Sequence, residues 1–146
     1  MRVERLKEYT PEAANRIREL LIQLSRSKKD RGEIPREWFE EVINSPHNDM
    51  LLAVNDEGKI VGIATLSIIM GPICRKNAYL EDFVTDESVR GQGVGGMLFA
   101  AMLEWAAEKG CGELNFTSGK GREEAWRFYQ NKGAEIYDTN FFKKKI

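Results

Sequence analysis

Four glycines fall within six residues at Gly91, Gly93, Gly95 and Gly96, in the run Arg90-Gly91-Gln92-Gly93-Val94-Gly95-Gly96. Ordering so many glycines costs more conformational entropy than an ordinary turn requires. From Val94 the apolar residues Val94, Met97, Leu98, Ala101 and Trp105 form one stripe of a helix that stops at Gly110. The run therefore sits where a helix begins. Amides exposed there, at the positive end of the helix dipole, make an anion site that suits a pyrophosphate.

Several folds use such a loop. Gly91-x-Gly93-x-x-Gly96 matches the dinucleotide fingerprint, but that pattern belongs in an early β-α-β unit with an acidic residue ending the second strand about 20 residues on. Here Glu113 begins its strand, and the strands before the loop are joined by a hairpin. No Gly-Lys-Ser or Gly-Lys-Thr follows, so it is not a Walker loop. A tight strand-to-helix turn without a ligand is the bland alternative.

The rest of the chain gives the loop its context. Residues 2–8 alternate loosely enough for an edge strand. Thr10 before Pro11 and Glu12 signals a helix start, and Ala13, Ile17, Leu20, Leu21 and Leu24 continue it at helical spacing. A second short helix spans 35–44 with Trp38, Phe39, Val42 and Ile43. Strands follow at 50–54 and 59–69 around the turn Asn55-Asp56-Glu57-Gly58, then at 78–85. After the glycine helix come a strand at 113–117, a helix at 122–131 stopped by Gly133, and two closing strands at 134–137 and 141–144. Hairpin-linked strands followed by a β-α-β crossover imply a mixed α+β sheet covered by helices, in one domain over 1–146.

Composition narrows the function. With 146 residues, 42% hydrophobic and 31% charged, the chain reads as an ordinary globular protein with no run long enough to span a bilayer. Its net charge of −1 lacks the basic footprint of a nucleic-acid binder. Arg26, Lys28, Lys29 and Arg31, like Lys143 to Lys145, read as solvated surface. No secretory run opens the chain, so a cytoplasmic location is expected, without membrane or nucleic-acid partners. Cys74 and Cys111 read as reduced structural residues, and two cysteines cannot build a thiolate zinc site, so no metal is expected.

Arg90-x-x-Gly93-x-Gly95 resembles the acetyl-coenzyme A loop of the GNAT superfamily. Tyr79-Leu80-Glu81-Asp82-Phe83-Val84-Thr85 resembles that family's fourth strand, and Ala125-Trp126-Arg127-Phe128-Tyr129-Gln130-Asn131-Lys132-Gly133-Ala134 its last helix and following turn. The resemblance implies the α/β (α+β) GNAT fold, with a mixed, mostly antiparallel sheet of six to seven strands flanked by about four helices. It implies an acetyl-CoA-dependent N-acyltransferase acting on a small-molecule or protein amine. A homodimer is common in the family. A catalytically silent acyl-CoA-binding module is the alternative.

Carried onto this chain, the resemblance assigns pantetheine and thioester to the backbone of Phe83, Val84 and Thr85, with the Val84 amide polarising the carbonyl. The amides of Arg90, Gly91, Gln92, Gly93, Val94, Gly95 and Gly96 would take the phosphates. An alkyl amine of pKa about 10.4 costs roughly 4 to 5 kcal/mol to deprotonate at pH 7, so a base is useful. Glu81 is the first choice and Asp82 the second, strand alternation allowing only one to face the acceptor. Tyr129, matching the family's tyrosine, would protonate the departing thiolate. Many relatives carry an asparagine where this chain has Arg122, which puts one helix-to-pantetheine contact in doubt and offers Arg122 to a phosphate instead. His47 reads as a surface turn residue, and neither cysteine has an evident base partner, so direct transfer in a ternary complex is expected over a covalent acetyl-enzyme.

Overall fold

The computed structural model describes residues 1–146 and divides into two units, Met1–Phe116 and Thr117–Ile146. In the first unit β1 (Arg2–Arg5), α1 (Pro11–Leu24), α2 (Arg36–Asn44), β2 (Asn48–Val54), β3 (Ile60–Gly71), β4 (Arg75–Thr85), α3 (Val94–Glu108) and β5 (Leu114–Phe116) follow in order. The second unit holds α4 (Glu123–Asn131).

The sheet runs β1-β2-β3-β4-β5. All neighbours are antiparallel except β4 and β5, which are parallel across the α3 crossover. Because strand side chains alternate, the sheet has two apolar faces. Met50, Leu52, Val54, Ile63 and Val84 cluster with Ile17, Leu20, Phe39 and Val42 from α1 and α2. Their alternates Leu51, Ala53, Ala64 and Leu66 are buried too, on the face covered by α3. A Cβ on Gly62 would stand 2.9 Å from Leu98 Cδ1 of α3, so any side chain there would force Leu98 to shift.

Local signals place the helix ends. The Thr10 hydroxyl accepts from Ala13 N at 3.1 Å and Pro11 opens α1, a cap worth about 1 kcal/mol. At the end of α3, Gly110 takes φ 73°, and Cys111 N and Gly110 N donate to Ala106 O and Ala107 O. This Schellman arrangement satisfies carbonyls that the helix leaves open. Gly133 repeats it after α4, with φ 80° and bonds from Ala134 N to Tyr129 O and from Gly133 N to Gln130 O.

The sheet has five strands rather than six to seven. The closing strands expected at 134–137 and 141–144 do not form. Ile136, Tyr137, Phe141 and Phe142 are exposed, and no ladder of backbone partners engages the segment. Strand propensity cannot make a strand without a neighbour to pair with. Cys74 is exposed between β3 and β4, whereas Cys111 is half-buried. No helix is long and apolar enough to cross a membrane.

Candidate active site

Strand β4 does two things at once. On one edge it pairs with β5 only at Ala78, Tyr79 and Leu80, so the strand continues from Glu81 to Thr85 beyond the last β5 pair. On the other edge its register against β3 shifts: Leu66 pairs with Leu80, but Ala64 pairs with Phe83. Glu81 and Asp82 together oppose the single residue Thr65, which is a β-bulge.

The bulge overturns the expected alternation of the two acids. Cross-strand partners share a face, so Leu80 and Phe83 both lie on the α3 face with Leu66 and Ala64. Glu81 and Asp82, between them, both fall on the face of α1 and α2. Glu81 is exposed. Asp82 is half-buried, and burial raises its pKa, opposed by Arg31 and the Thr65 hydroxyl.

Beyond the bulge the ladder decides which edge each amide faces. Asp86 N donates to Val61 O at 2.8 Å. With Ile63 opposite Val84, the two-residue rhythm of antiparallel bonds turns the Val84 amide into β3. The Val84 side chain is buried in the α1 and α2 core. The expected oxyanion role of that amide is therefore corrected: Phe83 and Thr85, the alternate residues, direct their backbone groups to the edge where β5 has ended.

The strand then enters the glycine loop through a fixed corner. Asp86 is buried, 7% exposed, and accepts from Ser88 N at 2.8 Å and Ser88 Oγ at 2.6 Å, capping a single 3-10 turn over Glu87–Val89. Arg16 of α1 also pairs with Asp86, while Arg16 Nε donates to Ile60 O at 2.8 Å. The Ser88 hydrogen bonds, helped by Arg16, hold the Asp86 carboxyl well below the usual range despite its burial. Sequence reasoning missed this pair, since Arg16 and Asp86 are 70 residues apart.

Gly91 and Gly93 have φ of 76° and 84°, and Gly93 caps α3 without any side-chain bond. A Cβ at either position would meet nothing within 4 Å, so glycine is required by the backbone conformation rather than by space. The first intrahelical bond of α3 runs from Met97 N to Gly93 O. The amides of Val94, Gly95 and Gly96 precede it and have no partner within the helix. Arg90 stays on the surface, 3.8 Å from Glu87. A helix of 15 residues thus presents backbone donors to an anion.

A model of the acetyltransferase (GNAT) family matches residues 14–134. The chain belongs to this family. Aminoglycoside N(6')-acetyltransferase type 1 of Serratia marcescens is 28% identical over 116 residues, covering 76% of this chain and 80% of that protein. An aminoglycoside N-acetyltransferase solved in complex with CoA superposes with a TM-score of 0.78 at 23% identity over 99% of both chains. A Bacillus halodurans C-125 protein described as a transcriptional regulator gives 0.81 at 25% identity, over 99% of this chain and 100% of that one.

The last expected site residues lie in the second unit of this GNAT acetyltransferase. Tyr129 is half-buried on α4, with its ring 5.4 Å from that of Phe128 at 72°. Burial raises its hydroxyl pKa, and Arg122, which precedes α4, opposes the rise. The hydroxyl therefore keeps its proton at neutral pH. His47 is exposed, in line with a surface role.

Proposed function

We propose that this GNAT acetyltransferase moves an acetyl group from acetyl-CoA to a primary amine, on a small molecule or a protein, by direct transfer in a ternary complex. One observation carries the reading: β4 runs past the end of β5 and leads, through the Asp86 corner, into backbone donors at the start of α3. The amides from Arg90 to Gly96 would take the pyrophosphate, and the edge backbone at Phe83 and Thr85 the pantetheine and thioester. Acetyl-CoA supplies an activated acyl group there. The Serratia relative, named for an aminoglycoside amine, supports an amine acceptor.

In the transfer the amine nitrogen forms a bond to the acyl carbon and the carbon–sulfur bond breaks. The amine proton passes to Glu81 or, as second choice, Asp82, directly or through water. The thiolate takes a proton from Tyr129, a role that rests on the family resemblance. The strand-edge amides stabilise negative charge on the carbonyl oxygen.

Incubating the protein with acetyl-CoA and a panel of amines, amino sugars, polyamines and peptide N-termini, and measuring release of the CoA thiol, tests this reading. Turnover on an amine supports it; burst kinetics or a trapped acetyl-enzyme would end direct transfer. The similar Bacillus halodurans protein described as a regulator favours a second reading, a silent acyl-CoA sensor. That reading expects cofactor binding by calorimetry with no thiol release for any amine.

A further inference from the structure

A cavity of about 900 Å³ lies against α2, β3 and the β4 bulge, within the usual size range of small-molecule sites. Its wall includes Glu37, Glu40 and Glu41 from α2, Glu81 from the bulge, Trp38 and Thr65. Of the four carboxylates only Glu40 is ion-paired, to Arg36 Nε at 2.7 Å. Glu37, Glu41 and Glu81 enter none of the ion pairs of the structure. Like charges around a concave wall focus a negative potential into it and raise the local concentration of cations.

A second observation is independent of the charges. Thr65 is 8% exposed, and its Oγ1 is buried without a hydrogen-bond partner. This hydroxyl lowers the pKa of the nearby Asp82 carboxyl, and no protein donor reaches the lone pairs of its oxygen. Thr65 shares the face of Ile63 and Val84, towards the α1 and α2 layer where the cavity lies. An unsatisfied buried hydroxyl is costly, and a lone pair there can accept from an ammonium N–H. Trp38, half-buried in the same wall, offers a ring to a cation.

Glu81 joins this cavity to the proposed chemistry, because it lines the wall and stands two residues before the Phe83 edge backbone. Resting on the N-acetyltransferase reading, we propose that the cavity is the acceptor subsite and selects small amines with two or more positive charges. Glu81 faces the reacting amine. Glu37 and Glu41 hold a second ammonium, and Thr65 Oγ1 accepts from one of the two.

The test compares n-butylamine, 1,4-diaminobutane and spermidine as acceptors, with wild type, the double variant Glu37→Gln/Glu41→Gln and Thr65→Val. The proposal expects kcat/KM to rise with charge by about tenfold or more from butylamine to spermidine, with the preference falling at high NaCl. In the double variant KM for spermidine rises about tenfold and the spermidine-to-butylamine ratio collapses. Equal use of butylamine and spermidine, or a ratio that survives the double variant, overturns it and leaves the acetyltransferase reading standing. Calorimetric titration of spermidine into CoA-saturated protein separates the two readings. Binding that the double variant loses, without thiol release from any amine, upholds the cavity and removes the enzyme. Thermal melts check folding, and Glu41→Gln alone replaces the double variant if that one unfolds.

Discussion

The two ends of the candidate site are built from different material. The proposed phosphate end, at Gly91 to Gly96, uses backbone amides set by glycine conformations and by the start of α3. The proposed acceptor end uses side chains brought together from α2, β3 and β4. A backbone site is insensitive to the side chains around it and demanding about φ. A side-chain site is the reverse.

That contrast can be broken experimentally. The largest effect expected is on turnover: Tyr129→Phe should lower kcat by about a hundredfold or more while leaving acetyl-CoA affinity intact, measured by thiol release and calorimetry. A small loss would remove the tyrosine from the chemistry.

The corner that supports the phosphate end comes next. Asp86→Ala removes one of the two carboxylates paired with the largely buried Arg16, leaving Glu19, and should destabilise the fold by about 2 kcal/mol in denaturant unfolding. The folded carboxyl is held below its unfolded value by Ser88 and Arg16, so its contribution is present above the unfolded pKa, about 3.9, and is lost as pH falls below that. Wild type should therefore lose more stability than Asp86→Ala on acidification from pH 5.

The choice of base follows. Glu81→Gln should lower kcat/KM by about a hundredfold if it carries the proton, and Asp82→Asn if that residue does. Burial raises the Asp82 pKa, so an Asp82-dependent rate would fall, as pH decreases, at a value above the ordinary carboxylate range. Loss of that acidic limb in Asp82→Asn, but not in Glu81→Gln, would make Asp82 the base.

The smallest effects divide backbone from side chain most sharply. Gly93→Val forces a β-branched residue into the left-handed region and should weaken CoA binding about tenfold. Arg90→Ala removes an exposed side chain with a long contact to Glu87 and should change it less than about threefold. The opposite order would mean that the phosphates are held by side chains.

Much of the fold was legible in the chain. Thr10-Pro11, Gly110 and Gly133 mark helix ends through bonds within a few residues, and each operates as expected. The segment after Gly133 was not legible, because Ile136, Tyr137, Phe141 and Phe142 carry strand propensity but pair with no strand. The acids on β4 were found as residues and misplaced in space, since alternation assumes an unbroken ladder. The assignment to Val84 failed for a related reason: which edge an amide faces depends on the partner strand.

The sequence by itself determined the proposed phosphate end, since positive φ at Gly91 and Gly93 and the open amides of a helix start are properties of a few consecutive residues. Only the tertiary structure decided the proposed acceptor end. A bulge opposite Thr65 turns Glu81 and Asp82 to one face, α2 brings Glu37 and Glu41 to the same cavity, and Arg16 reaches Asp86 across 70 residues. Those positions follow from register and packing between distant segments, which no local pattern encodes.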